Sequence, residues 1–132
     1  MNKKELILQI LEKMGYKPEL DNDGDIMFRF EAKTVFVMTG DDDEKYLSVQ
    51  LPQFYEVAEG EEPLVLTVCN RMSRELKLVK VYIDQTFKNV TGACEFFYSN
   101  EESLSDCLVH SLRFLGIVRS RFKRYKAELS ED

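Results

Sequence analysis

The segment from about Glu101 to Lys126 constrains this chain more than any other. Its apolar residues Leu104, Leu108, Leu115, Val118 and Phe122 recur four, seven, three and four positions apart. At 3.6 residues per turn that spacing keeps them on one side of an α-helix. A second, narrower row of His110, Phe114, Ile117 and Arg121 falls on another side of the same cylinder. A helix docked on one core needs one apolar face, so a second face predicts contact with a partner. Nothing of similar strength points to a reaction, and the segment argues for a small binding domain.

At 132 residues the chain fits one domain, spanning 1–132, that can bury about two-thirds of its unfolded surface without covalent staples. Three cysteines, Cys69, Cys94 and Cys107, cannot all pair within one chain, and no two stand at metal-motif spacing. Reduced thiols in a cytoplasmic protein are the simplest reading. Lys3 and Lys4 followed by Leu6, Ile7 and Leu8 briefly resemble a secretory signal. Gln9, Glu12 and Lys13 interrupt the apolar run and no small-residue cleavage site follows, which excludes that reading. No apolar stretch approaches membrane-spanning length.

The net charge of −6 is unevenly distributed. Between Glu19 and Glu62 stand thirteen acidic residues against Arg29, Lys33 and Lys45; from Cys107 to Ala127 there is no acid, against Arg113, Arg119, Arg121, Lys123, Arg124 and Lys126. Overall acidity disfavours nucleic acid, whose phosphates call for a net basic surface. The basic helix end, Arg119 to Lys126, is the one place where a nucleic-acid-associated regulator could find purchase. Cations in the last turns of a helix more commonly complement its dipole.

Element signals follow one another without repeats or linkers. Asn2 to Met14 reads as a helix burying Leu6, Ile7, Ile10, Leu11 and Met14 and closed by Gly15. Asp21-Asn22-Asp23-Gly24 is a turn, after which Ile26, Phe28 and Phe30 alternate with Asp25, Met27 and Arg29 as a strand. Glu31-Ala32-Lys33 turns the chain into a second strand, Thr34 to Thr39. A third carries Leu47, Val49 and Leu51 inward and is bent or ended by Pro52. Gly60-Glu61-Glu62-Pro63 starts a helix running to about Leu76. Val79 to Asp84 and Val90 to Tyr98 are the fourth and fifth strands, and Ser99 with Glu102 stands at capping-box spacing before the last helix. The order αβββαββα with tight hairpins predicts an α+β fold around a five-stranded antiparallel sheet.

Candidate chemistry is thin. Asp21, Asp23 and Asp25 invite a calcium reading, but an EF-hand register started at Glu19 puts Phe30 where a bidentate Glu is required. The run Asp41 to Glu44 reads as a solvated hairpin loop. Cys107 and His110, three apart on a helix, could share a side as a thiolate and its base, the basis of a thiol-dependent enzyme. No third orienting group is identifiable, and phosphate loops and nucleophile elbows are absent. No cofactor or metal is expected. Phe28, Phe30, Phe36, Phe54, Phe87, Phe96 and Phe97 fall mostly on strands, but the basic interleaving of an RNA-binding sheet is missing. Phe36 and Met38 face opposite to Val35 and Val37, and Phe97 opposite to Phe96. If both faces of the sheet are apolar, helices cover one and the other needs a partner or more helix.

Val68-Cys69-Asn70-Arg71-Met72-Ser73-Arg74-Glu75, followed by Lys80-Val81-Tyr82, resembles the asparagine-bearing helix and strand of the YbjN family of bacterial regulators, within the type III secretion chaperone-like fold. The family pattern repeats Asn three residues on, where this chain has Ser73. The resemblance spans nearly the whole chain and implies a homodimeric, non-enzymatic protein binder with no catalytic residues to carry over. The reading is therefore a cytoplasmic regulator or chaperone-like adaptor with an unidentified protein client. His110, Arg113, Phe114, Ile117 and Arg121 are its candidate partner or dimer contacts, Phe114 and Ile117 supplying apolar area and the arginines a polar rim.

Overall fold

Asn2 opens the first helix by accepting the Glu5 amide at 2.8 Å on its side chain, the expected service of an N-cap asparagine. A computed structural model describes residues 1–40 and 44–130. Helix α1 spans Lys3–Lys13 and ends in a glycine cap. Gly15 sits at φ 97°, and the amides of Gly15 and Tyr16 return to the carbonyls of Glu12 and Leu11, a Schellman closure. Strands β1 (Glu19–Leu20), β2 (Ile26–Phe30), β3 (Lys33–Met38) and β4 (Tyr46–Glu56) follow. Helix α2 (Glu62–Glu75) then leads to β5 (Val79–Ile83), β6 (Asn89–Phe97) and the long α3 (Glu101–Ser130).

All neighbouring strands are antiparallel, in the order β1-β2-β3-β4-β6-β5. Successive side chains of a strand alternate between faces, and one set joins a single core. Ile26, Phe28, Val35, Val37, Leu47, Val49, Leu51, Val79, Val81, Val90, Cys94 and Phe96 pack with Ile7 and Leu11 of α1, Val65, Val68 and Met72 of α2, and the α3 stripe. All three helices therefore lie on one side of the sheet. The stripe is Leu104, Leu108, Ser111, Leu112, Leu115, Val118, Phe122 and Tyr125, all buried. Phe122 is wedged between Phe54 and Tyr55, ring centroids 5.5 and 4.7 Å away. Gly92 lets α3 approach β6 closely: a Cβ there would lie 3.4 Å from Val118.

Lys3 is buried at the start of α1 and donates to the carbonyls of Thr39, Glu44 (3.0 Å) and Tyr46 (2.7 Å). It ties the flanks of the β3–β4 connection to the helix. Asp41, Asp42 and Asp43 lie outside the described residues, so the loop read between Asp41 and Glu44 is described only at Glu44.

The five strands read from the sequence are present, but the sheet has six. The added β1 pairs Glu19 with Met27 and Leu20 with Ile26; two exposed residues carry no alternation to read, and only pairing defines them. Pro52 bends β4 without ending it: the β4–β6 register shifts between Leu51 and Tyr55, and the Gln53 amide is taken by the Thr91 hydroxyl at 3.1 Å. The α3 cap is one residue later than its sequence signal. Asn100 and Ser103 exchange side-chain-to-amide bonds of 2.9 and 3.0 Å, in place of Ser99 and Glu102. The last helix runs four residues beyond Lys126, to Ser130. Phe87 is in the β5–β6 turn, between the two strands as the sequence places it.

Candidate functional site

The side of the sheet opposite the helices carries apolar side chains that no helix covers. Pairing aligns Met27, Phe36, Gln50, Ala93 and Lys80 in one row across five strands. Met38, Ser48 and Glu95 form the next row, and Tyr46 and Phe97 the one beyond. Each of these residues alternates with a core residue, so register alone turns it away from the helices. Met27, Phe36, Met38 and Tyr46 are half-buried and Phe97 is 74% exposed. The Phe97 ring packs only at the margin, 5.2 Å from the Tyr46 centroid. Small Ala93, Ser48 and Thr91 on this face are buried.

One charged group is held firmly on this face. Glu95 accepts from the Tyr46 hydroxyl and pairs with the Lys80 ammonium. Lys80 first, then Tyr46, holds the Glu95 carboxyl below its usual range. In return the Glu95 hydrogen bond pushes the Tyr46 phenol up to about 12. This places a satisfied ion pair among apolar side chains, where an unpaired charge would oppose docking of an apolar partner.

The second row of α3 is only partly free. Phe114 is half-buried and packs against the core, with the Arg113 guanidinium 6.0 Å from its ring. Ile117 is half-buried but does not join the core cluster. His110 and Arg113 are exposed, while half-buried Arg121 donates to the Tyr125 hydroxyl at 3.4 Å. On the helix, Ile117 is thus the apolar member left most available. The row and the open sheet face lie on opposite sides of the molecule.

The remaining sequence candidates are occupied structurally. Burial pushes the Cys69 thiol up to about 11 and the Cys94 thiol to about 12. Burial, then the Asp106 carboxylate, raises Cys107 as well. A protonated thiol beside an exposed His110 is the reverse of an activated nucleophile. One oxygen of Asp21 accepts the Asp23 and Asp25 amides, each at 2.9 Å, so this acid stitches its own turn. At the basic end of α3, Arg124 pairs with Glu128, Lys126 with Glu61 at 2.9 Å, and Arg71 of α2 with Glu128 at 2.8 Å. Glu61, which precedes α2, and Glu128 of α3 itself thus offset part of the basic run, and Arg119 and Lys123 stand with Lys33 around a shallow cleft.

A family model described as "Putative bacterial sensory transduction regulator", YbjN, matches residues 3–129. The chain belongs to the YbjN family. The crystal structure of YbjN from E. coli, described there as a transcription regulator, superposes with a TM-score of 0.71 at 9% identity, covering 96% of this chain and 93% of that one. A protein from Methanothermobacter thermautotrophicus gives 0.56 at 11% identity, over 92% and 98%. The Yersinia pestis type III secretion chaperone SycH, solved with a fragment of YscM2, gives 0.49 at 10% identity, over 80% and 90%. No curated protein matches. At such identities the first two of these structures show a shared fold, and the family's own description is of a regulator. No helix among the described residues is long and apolar enough to cross a membrane. The Ser73 departure from the YbjN pattern has a structural role: its hydroxyl accepts the Val81 amide at 2.9 Å and donates to the Val81 carbonyl at 3.3 Å, joining α2 to β5.

Sequence reasoning anticipated Phe36, Met38 and Phe97 as apolar residues of the second face; it set Met27 opposite Phe28 without counting it among them, and it did not reach Tyr46. Met27 was legible as an alternate of Phe28. Tyr46 was not, because nothing local distinguishes a strand's first residue from its preceding loop.

Proposed function

We propose that this YbjN-family chain is a non-enzymatic, cytoplasmic protein-binding regulator that acts as a homodimer and holds a protein client. The observation that carries the reading is the helix-free side of the sheet, with Met27, Phe36, Met38, Tyr46 and Phe97 on one continuous surface. Apolar surface gathered in this way marks interaction sites, and a self-complementary patch suits a two-fold pair. In this reading the sheet faces of two copies meet. Ile117, with His110, Arg113, Phe114 and Arg121 around it, is a second, smaller partner contact on the far side.

Solution mass at micromolar and nanomolar concentration tests it. The expected result is a dimer that Phe36→Glu converts to a folded monomer while Ile117→Asp leaves its mass unchanged. A monomer at both concentrations removes the dimer. The opposite response of the two variants moves the dimer contact to α3.

A further inference from the structure

A groove of 520 Å³ runs between α2 and the edge strand β5, apart from both surfaces above. Cys69, Val81 and Ile83 form its floor, and Leu66 and Phe87 stand at its sides, 55% and 74% exposed. That volume lies within the ~300–1,000 Å³ of ordinary ligand sites.

Three features indicate what it takes. Phe87 sits at φ 64°, a left-handed conformation that glycine or asparagine adopts readily and a bulky aromatic does not. The turn itself therefore disfavours Phe, and a ring so exposed returns little burial to the fold. Its evident effect is to raise one apolar wall of the groove. Glu62 is the only charged side chain that lines it, and its carboxylate has no hydrogen bond or ion pair among the described residues. Finally, the backbone of β5 alternates in direction. The Val81 amide and carbonyl are bonded by Ser73 on α2, so Ile83, two residues on, turns its own pair away from β6 as well. Peptide-bonding groups therefore border an apolar trough.

We propose that the α2–β5 groove docks a segment of a client protein in which apolar side chains stand next to a lysine or arginine. The apolar groups lie between Leu66 and Phe87 over Cys69 and Ile83, the cation meets Glu62, and the segment's backbone bonds to Ile83 and Asn70. This inference rests on the protein-binding reading but not on the dimer.

The full chain is titrated with a fluorescently labelled synthetic peptide alternating leucine and lysine, and with its leucine–glutamate counterpart, by anisotropy. The leucine–lysine peptide is expected to bind more tightly by about tenfold, and Phe87→Asn and Leu66→Ser each to weaken it by about tenfold. Phe87→Asn keeps or raises the melting temperature, because it relieves the turn, and Glu62→Lys reverses the preference between the peptides. Equal binding of both peptides, or affinity unmoved by the two groove variants, overturns the proposal. So does a loss of dimer mass in Phe87→Asn or Leu66→Ser, which would make the groove an interface between copies. A monomeric protein that binds the leucine–lysine peptide as described sinks the dimer and leaves the groove standing; a dimer indifferent to it does the reverse.

Discussion

On the helix side of the sheet Ile26, Val35, Val37, Leu47, Val49, Val90 and Cys94 are fully buried. Their neighbours along the same strands, Met27, Phe36, Met38 and Phe97, are half-buried or exposed. Backbone, twist and hydrogen bonds are common to both faces, so the difference lies in what covers them. One face has three helices and a finished core. The other has the side chains of an unfinished one, and Glu95, the carboxylate set among them, is already satisfied. A face of free composition would tend toward polar residues, as the alternation of half-solvated antiparallel sheets usually does. The departure here is confined to β3, β4 and their neighbours and spares β1, which is short and exposed.

The contrast breaks first where packing is tightest. Phe122→Ala, which removes a ring 1% exposed from between Phe54 and Tyr55, is expected to cost about 3–5 kcal/mol in urea unfolding. A loss below ~1 kcal/mol would mean that the covered face is not a rigid core. Lys3→Met leaves the Thr39, Glu44 and Tyr46 carbonyls without their buried donor and is expected to cost about 1–3 kcal/mol. Amide exchange should quicken near the β3–β4 connection; unchanged exchange would show that the anchor contributes nothing there. Phe36→Ser, on the open face, should change protomer stability by less than about 1 kcal/mol while abolishing concentration-dependent mass. A core-sized destabilisation in a monomer would make the two faces alike.

The smallest effect concerns pH. The Glu95 carboxyl is depressed in the fold by Lys80 and then Tyr46. Its contribution is therefore complete above the unfolded carboxylate pKa and disappears as pH falls through the lower, folded value. Because Lys80 is 56% and Glu95 33% exposed, that contribution is below about 1 kcal/mol. Acid titration of wild type against Glu95→Gln should show the variant with the shallower loss of stability below about pH 4. Identical slopes would show the ion pair to be energetically silent.

Legibility in the sequence followed the range of the physics. Helix faces and strand alternation are local, so Leu104 to Phe122, Val35 and Val37 against Phe36 and Met38, and Phe96 against Phe97 were all correctly sided before any coordinates. Caps are nearly local: Asn100 and Ser103 missed the expected pair by one residue because Ser99 and Glu102 satisfy the same spacing rule. The sixth strand was invisible, since Glu19 and Leu20 become a strand only through Met27 and Ile26. The groove was equally hidden, because Leu66 and Phe87 lie on different elements, and a left-handed Phe87 has no signature in composition.

By itself, then, the order of residues determined the α+β class, the side on which each strand residue would fall, and an excess of apolar surface over one core. Periodicity encodes these, and periodicity needs only neighbours along the chain. The tertiary structure decided how that excess was shared. Docking set half-buried Phe114 against the core and left Ile117 outside it, placed all three helices on one face, and brought Leu66 and Phe87 to one groove. Such choices depend on which surfaces meet across the fold, and the spacing within one helix or strand does not specify the surface that will lie against it.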